Sequence, residues 1–284
     1  MNLDYSVRTL ADSLSPLGVR LTTFEVTFPR FILAEFNTHR ILSRNSASSR
    51  AIPPEKQIDR LLTGPFVPEF GTRVKGMGSG TLNENQLECV ETWLDARDDA
   101  VRHAQKLVEL NVDKARINRL LEPFMWHTVI ASGTHWANFF ALRTHQDAQP
   151  EFKIIADMML HEYRTHQPKQ LGVDEWHLPL IYPDDLDTAM FSSAPLPLPS
   201  ASAGRCARVS FDTHALDESL MDSIGRYGGL TANGHWSPTE HQAQAKGVPM
   251  ASSATGNFHG DWHQFRKMHR FESDFSELLV KDHL

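Results

Sequence analysis

A chain of 284 residues with 40% apolar content is long enough to bury a substantial core, as one large domain or two small ones. Its 28 basic residues against 35 acidic ones leave a formal charge of −7, which argues against binding a polyanion by bulk electrostatics and makes any phosphate site a local one. Cys89 and Cys206 are too few for a disulfide framework or a thiolate cage, and no run of about eighteen apolar residues or secretory core occurs, so a cytoplasmic protein without membrane contact is expected.

In chain order, VRLTTFEVTF at 19–28 alternates Phe24, Val26 and Phe28 with Thr23, Glu25 and Thr27, the period of a half-buried strand. Pro29 suits a first helical turn, and Ile32, Phe36, His39 and Ser43 recur on one face, which predicts a helix over 30–43 with RNSASSR after it as an ordered loop. Residues 70–81 hold Gly71, Gly76, Gly78 and Gly80, but Thr81 stands where a dinucleotide fingerprint needs glycine, so a flexible loop is predicted. From 83 to 121 the pattern is helical, with Leu87, Val90, Trp93, Leu94, Val101, Ala104, Leu107 and Val108 in an apolar stripe. TVIAS predicts a short strand, Trp136 to Arg143 a helix, and Glu151 to His166 another. Alternating prolines in SSAPLPLPSASAG, 192–204, predict a linker between a main part, 1–191, and a closing segment, 205–284. Within that segment CARVSF has the character of a strand and 215–227 of a helix, with Gly228-Gly229 as its stop.

Between Asn37 and Arg50 the run NTHRILSRNSASSR carries Arg40, Arg44, Arg50 and His39 among hydroxyls, with no acid. Guanidinium groups take phosphate oxygens in pairs, and hydroxyls and loop amides complete the shell, so the run suits a phosphate site; a solvated basic loop is the bland alternative. Fifteen histidines raise the question of a metal. In HEYRTH, His161 and His166 project about 140° apart on a helix, and Gly260 interrupts the pair His259 and His263, so a metallohydrolase is a distant alternative and no metal is expected. Neither cysteine has an adjacent base, which leaves both as packing residues.

HRILSRNSASSR, led by VTFPRFILAEFNT, resembles the signature of the flavin-dependent thymidylate synthases: Arg-His-Arg, seven residues, serine, and an arginine two further on, here Thr38, His39, Arg40, Asn45, Ser48 and Arg50. ARINRLLEPF, THWANFFALRTHQDAQPE and VDEWHLP are similar to later blocks of the family in their usual order, while CARVSF and GHWSPTEH resemble its opening blocks but follow the linker. The order is that of a circular permutation, and the resemblance covers roughly two thirds of the chain, with 51–110 and 242–284 weakly matched. It implies an α+β fold with long helices on a mixed sheet, in a homotetramer with shared active sites. The activity it implies is one-carbon transfer to C5 of a pyrimidine deoxynucleotide, dUMP to dTMP first, with FAD as carrier, NADPH as reductant and methylenetetrahydrofolate as donor.

Residue by residue, the resemblance implies that Arg143 in FALR contacts the pyrimidine, that Ser48 takes part beside it, and that Arg50, Arg116 or its neighbour Arg119, and Glu35 bind the nucleotide. His39, Arg40, Asn45, Asn138, His241 and Ser210 match flavin-contacting positions. Four positions depart from the pattern: Thr38 replaces the first arginine, Ser46 an acid, Glu35 a glutamine and Asp147 a histidine. These leave open dCMP as substrate, a hydroxymethyl product, or a flavin- or nucleotide-binding homologue without catalysis. A nucleic-acid-binding module built on the basic loop is disfavoured by the net charge. In the tail GNFHGDWHQFRKMHR, Trp262, Phe265, Arg266, Lys267 and Arg270 suit an amphipathic docking or oligomer helix, or a cation replacing the one lost at Thr38.

Overall fold

Ser6–Leu14 (β1) and Arg20–Pro29 (β2) form an antiparallel hairpin whose turn closes through Gly18, at φ +78°, with its N–H on Ser15 O at 2.9 Å. Ser43–Ser46 (β3), Trp126–Gly133 (β4) and Lys169–Gln170 (β5) complete a sheet of order β3-β4-β2-β1-β5, antiparallel except for the β1 and β5 pair. The computed structural model describes residues 4–75, 78–209, 218–269 and 272.

Alternation on the two central strands decides what each face packs against. Phe24, Val26 and Phe28 of β2 and Val129 and Ala131 of β4 share one face, where they meet Ile32, Leu33–Phe36 (α1), Ala137–Arg143 (α5) and Pro150–Thr165 (α6). Ile130 of β4 points to the other face and packs with Leu180, Cys206 and Val209. Thr23 and Thr27 on that face are therefore buried as well, and β2 is covered on both sides rather than half-exposed. Pro54–Thr63 (α2), Gln86–Glu109 (α3) and Lys114–Leu121 (α4) pack on one another through Ile58, Leu61, Val101, Ala104, Ile117 and Leu121. The helical pattern predicted over 83–121 is thus two helices, broken at Asn111 with φ +55° and restarted where the Asp113 carboxylate accepts from the N–H groups of Ala115 and Arg116. Leu87, assigned to the apolar stripe, is 81% exposed.

Four local expectations are corrected. The helix expected over 30–43 ends at Phe36, because the Arg44 guanidinium takes the carbonyls of Asn37 and His39, both at 2.9 Å, and draws the chain into β3; Arg44, Asn45 and Ser46 of the expected loop are strand. Pro197–Arg208 (α8) is a buried helix where a linker and a strand were expected. Its prolines fall in the first turn, which needs no N–H donors, and its small residues let it lie against Leu220–Ala232 (α9) so closely that a Cβ on Gly204 would meet Ser223 O at 2.0 Å. Gly228 and Gly229 lie inside α9, which stops at Asn233 before Gly234 at φ +74°. Among its described residues the tail forms no docking helix: Trp176–His177 (β6), Ala243–Ala245 (β7) and Trp262–Gln264 (β8) make a small antiparallel sheet, and Phe265–Met268 follows as a 3-10 turn. Trp262 and Phe265 are buried inside the chain, and Arg266 pairs with Glu240 and Glu272, so neither supplies an exposed face or a free cation; Arg270 lies outside the described residues.

The result is an α+β fold with helices on a mixed sheet. The residues after 197 pack on the same sheet as those before, through Cys206 and Val209 on Ile130. No helix among the described residues is long and apolar enough to cross a membrane.

Candidate active site

Arg143 ends α5 and reaches back to the short segment after α1. Its Nε donates to His39 Nε2 at 2.8 Å, and its Nη2 to Thr38 Oγ1 at 3.3 Å and Glu35 O at 3.5 Å, while the guanidinium carbon lies 4.3 Å from the centre of the Phe152 ring. Its Nη1 has no hydrogen-bond partner among the described residues. To accept from Arg143, His39 must be neutral, and burial first, then the Arg143 and Arg44 cations, hold its imidazole down at about 4. Thr38 Oγ1 in turn donates to Glu35 O at 2.6 Å. The threonine that replaces the family arginine thus helps hold Arg143 in place. Glu35 Oε2 is buried beside this cluster without a partner among the described residues, and its charge acts to raise the Arg143 guanidinium pKa against the lowering by burial.

A second cluster lies where β3 runs into the loop before α2. Ser48, Ser49 and Arg50 of that loop and Ala115, Arg116 and Arg119 of α4 line a polar pocket of about 420 Å3. Arg116 and Arg119 sit three apart, on one face of the helix. Each has an acid nearby, Asp113 at 3.2 Å and Glu122 at 3.9 Å, but both guanidiniums are largely exposed and Glu122 is held more closely by Arg30, so these pairs are weak enough to yield to an anion. The alternatives Arg116 and Arg119 both belong to the pocket.

The remaining expected positions are dispersed. Arg40 and Asn138 are exposed, with side chains that have no partner among the described residues. Asn45 is engaged at both ends of its amide, Nδ2 donating to Cys206 O at 3.0 Å and Oδ1 accepting from Ser237 Oγ at 3.1 Å. His241 is fully buried, its Nδ1 on Ser132 Oγ at 2.8 Å, and burial pushes its pKa down to about 3; its Nε2 is enclosed without a partner among the described residues. Ser210 lies outside the described residues. Arg40 and Asn138 are accessible to a ligand, whereas the Asn45 amide and His241 Nδ1 are taken up by partners within the chain. Ser46 lies in β3 and Asp147 is exposed beside His145. Among the described residues no group of three or more His, Cys, Asp or Glu side chains is placed to hold a metal ion.

Sequence reasoning passed over Ser49 and Asn118. Ser49 lines the pocket between two residues that were named, and Asn118, buried on the inner face of α4, holds the pocket loop by its amide. A polar residue at an apolar position of the stripe Ala115, Ile117 and Leu121 was the available signal.

Fold and clusters describe an α+β protein with a half-buried arginine held by a neutral histidine and a separate cationic pocket. The profile of the thymidylate synthase complementing proteins matches residues 4–169, and the chain belongs to that family, the flavin-dependent thymidylate synthases. At family level it is a thymidylate synthase-like methyltransferase acting at C5 of a pyrimidine nucleotide. The match includes Glu35, the 38–50 loop, Arg116, Arg119 and Arg143, and stops before the segments at 206–211 and 234–241. No curated protein sequence matches the chain. Among solved structures, a UMP/dUMP methylase from Streptomyces cacaoi bound with 5-Br dUMP aligns with a TM-score of 0.48 and 17% identity over 57% of this chain and 91% of that one. The same methylase bound with 5-Br UMP aligns at 0.47 and 18% identity over 56% and 88%. At this level of similarity nothing about ligand or activity transfers from either structure.

Proposed function

We propose that the protein converts dUMP to dTMP, with methylenetetrahydrofolate as carbon donor and NADPH as reductant. The observation that carries this reading is the convergence of Ser48, Arg50, Arg116 and Arg119, from two distant stretches of sequence, on one polar pocket of a size suited to a nucleotide phosphate. When bound, FAD supplies the hydride and carries the one-carbon unit. The chain binds and polarises the substrate. In this reading Ser48 and the three guanidiniums hold the phosphate, and the uncommitted Nη1 of Arg143 is the donor offered to a pyrimidine carbonyl oxygen that gains negative charge as C5 becomes nucleophilic. His39, as a neutral acceptor, fixes the orientation of Arg143 and competes for none of its charge. Cys206, buried with its thiol pushed up, offers no thiolate, in keeping with chemistry that needs no enzyme cysteine.

A second reading, dCMP as substrate, is favoured by one feature. Glu35 Oε2 is a buried acceptor without a donor among the described residues, and the exocyclic amine of cytosine supplies two. The test is incubation of the purified protein with FAD, NADPH, methylenetetrahydrofolate and each nucleotide in turn, with mass analysis of the products. A gain of one methyl on dUMP supports the first reading; methylated or hydroxymethylated dCMP beside unchanged dUMP replaces it. No product from any pyrimidine nucleotide, with flavin still bound, leaves a binding homologue. We further read 1–191 and the segment from 205 as one permuted domain, and the assembly as a homotetramer, which sedimentation checks.

A further inference from the structure

Asn118 is not among the residues lining the pocket, yet its amide joins the two arms that form it. Its side chain is 1% exposed, and Nδ2 uses both hydrogens on the loop backbone, one to Ser49 O at 2.7 Å and one to Ile52 O at 2.9 Å. The loop closes locally as well, with Ala51 N on Ser48 O at 2.9 Å and Arg50 N on Ser48 Oγ at 3.3 Å. A single amide therefore ties the turn that carries Ser48 and Arg50 to the helix that carries Arg116 and Arg119. Without an anion between them these three guanidiniums repel, and the repulsion pushes the loop away from α4. A buried clamp between the two arms opposes that and keeps the pocket formed before ligand arrives. Asn118 Oδ1 is buried without a partner among the described residues, a cost that an apolar residue of the same size would avoid. An unpaired carbonyl is retained because it comes with the two N–H groups that the loop requires.

We propose that Asn118 is a positioning residue that preorganises the anion pocket for the substrate phosphate; this rests on the reading of that pocket as the phosphate site. The test uses the full chain and three substitutions, Asn118→Leu, Asn118→Ala and Arg119→Ala, with calorimetric binding of dUMP and of inorganic phosphate, steady-state kinetics, and hydrogen exchange at the Ala51 amide. Asn118→Leu is expected to weaken both ligands by about tenfold, to raise KM by the same factor with kcat within about twofold, and to speed exchange at Ala51. If Asn118→Leu does not fold, Asn118→Ala is held to the same criteria. Faster exchange at Ala51 with parental affinity for both ligands would overturn the proposal, since the amide would then only stabilise the loop; Arg119→Ala losing affinity in the same experiment leaves the pocket reading intact. Should Arg119→Ala bind dUMP as the parent does, the pocket is not the phosphate site and the role of Asn118 falls with it.

Discussion

Replacing Arg143 by alanine should remove catalysis far more than stability. Four of its contacts are structural: the bond to His39, the weaker ones to Thr38 and Glu35 O, and the stacking on Phe152. A bond to a neutral partner contributes about 1 kcal/mol and a guanidinium over a phenyl ring about 1 kcal/mol more, so roughly 2 kcal/mol of stability is lost, a fall in Tm of about 3 to 4 °C for a chain of this size. Loss of a preorganised cation at a developing oxyanion costs about 3 to 4 kcal/mol of transition-state stabilisation, or about 100- to 1,000-fold in kcat. Arg143→Lys restores the charge but not the geometry, because an ammonium cannot hold His39 and present a second donor in the same plane, and it should recover only a small part of the rate. The kinetic assay is accompanied by an NMR titration of His39. Its imidazole should rise from about 4 in Arg143→Ala, yet stay below its ordinary value, since burial is the largest cause and Arg44 remains. Flavin should stay bound. Turnover of Arg143→Ala within about threefold of the parent would refute the assignment of the pyrimidine to this arginine.

Acid should destabilise the fold early. His127, His177 and His241 are buried and neutral, each pushed down to about 3 chiefly by burial, whereas in the unfolded chain each protonates near 6.5. The unfolded state therefore binds more protons between these values, and stability is complete above about pH 6.5 and lost as pH falls toward 3; from pH 7 to 5.5 the three together cost about 4 kcal/mol. A urea midpoint that is unchanged over that interval would contradict their burial as neutral imidazoles. Arg119→Ala should raise the nucleotide KM by about tenfold with a small effect on kcat, and the loss should shrink as salt rises; equal losses in KM and kcat would point to a role in chemistry instead. Gly204→Ala should lower stability by about 1 to 3 kcal/mol, because α8 and α9 must separate to relieve the contact with Ser223 O, and a parental urea midpoint would show that the two helices are not so close.

Much of the frame was present in local pattern. The alternation of 20–29, the apolar run of β4 and the periodicities of α5 and α6 each depend on residues that are neighbours in sequence, so the strands and helices that carry Arg143 were visible there. The polar run from His39 to Arg50 stood out for the same reason. Proline misled at α8, because the same residue that breaks a helix interior starts a helix well, and which of the two applies depends on what the helix then packs against. Arg44 misled in a similar way, since its choice of the His39 and Asn37 carbonyls over solvent ends a helix that side-chain periodicity would have continued.

By itself the sequence determined the family, the fold class and the set of cations, because these rest on residue type and spacing. Only the tertiary structure decided how they divide. It brought Arg50 against Arg116 and Arg119, separated by more than sixty positions in the chain, and gave Arg143 to His39 and Thr38. It also enclosed Asn45 and His241 in hydrogen bonds of the chain's own making. The physical reason is that each of these contacts joins segments whose separation in sequence carries no information about their distance in space, and the buried donor or acceptor takes whichever partner the packed core brings to it.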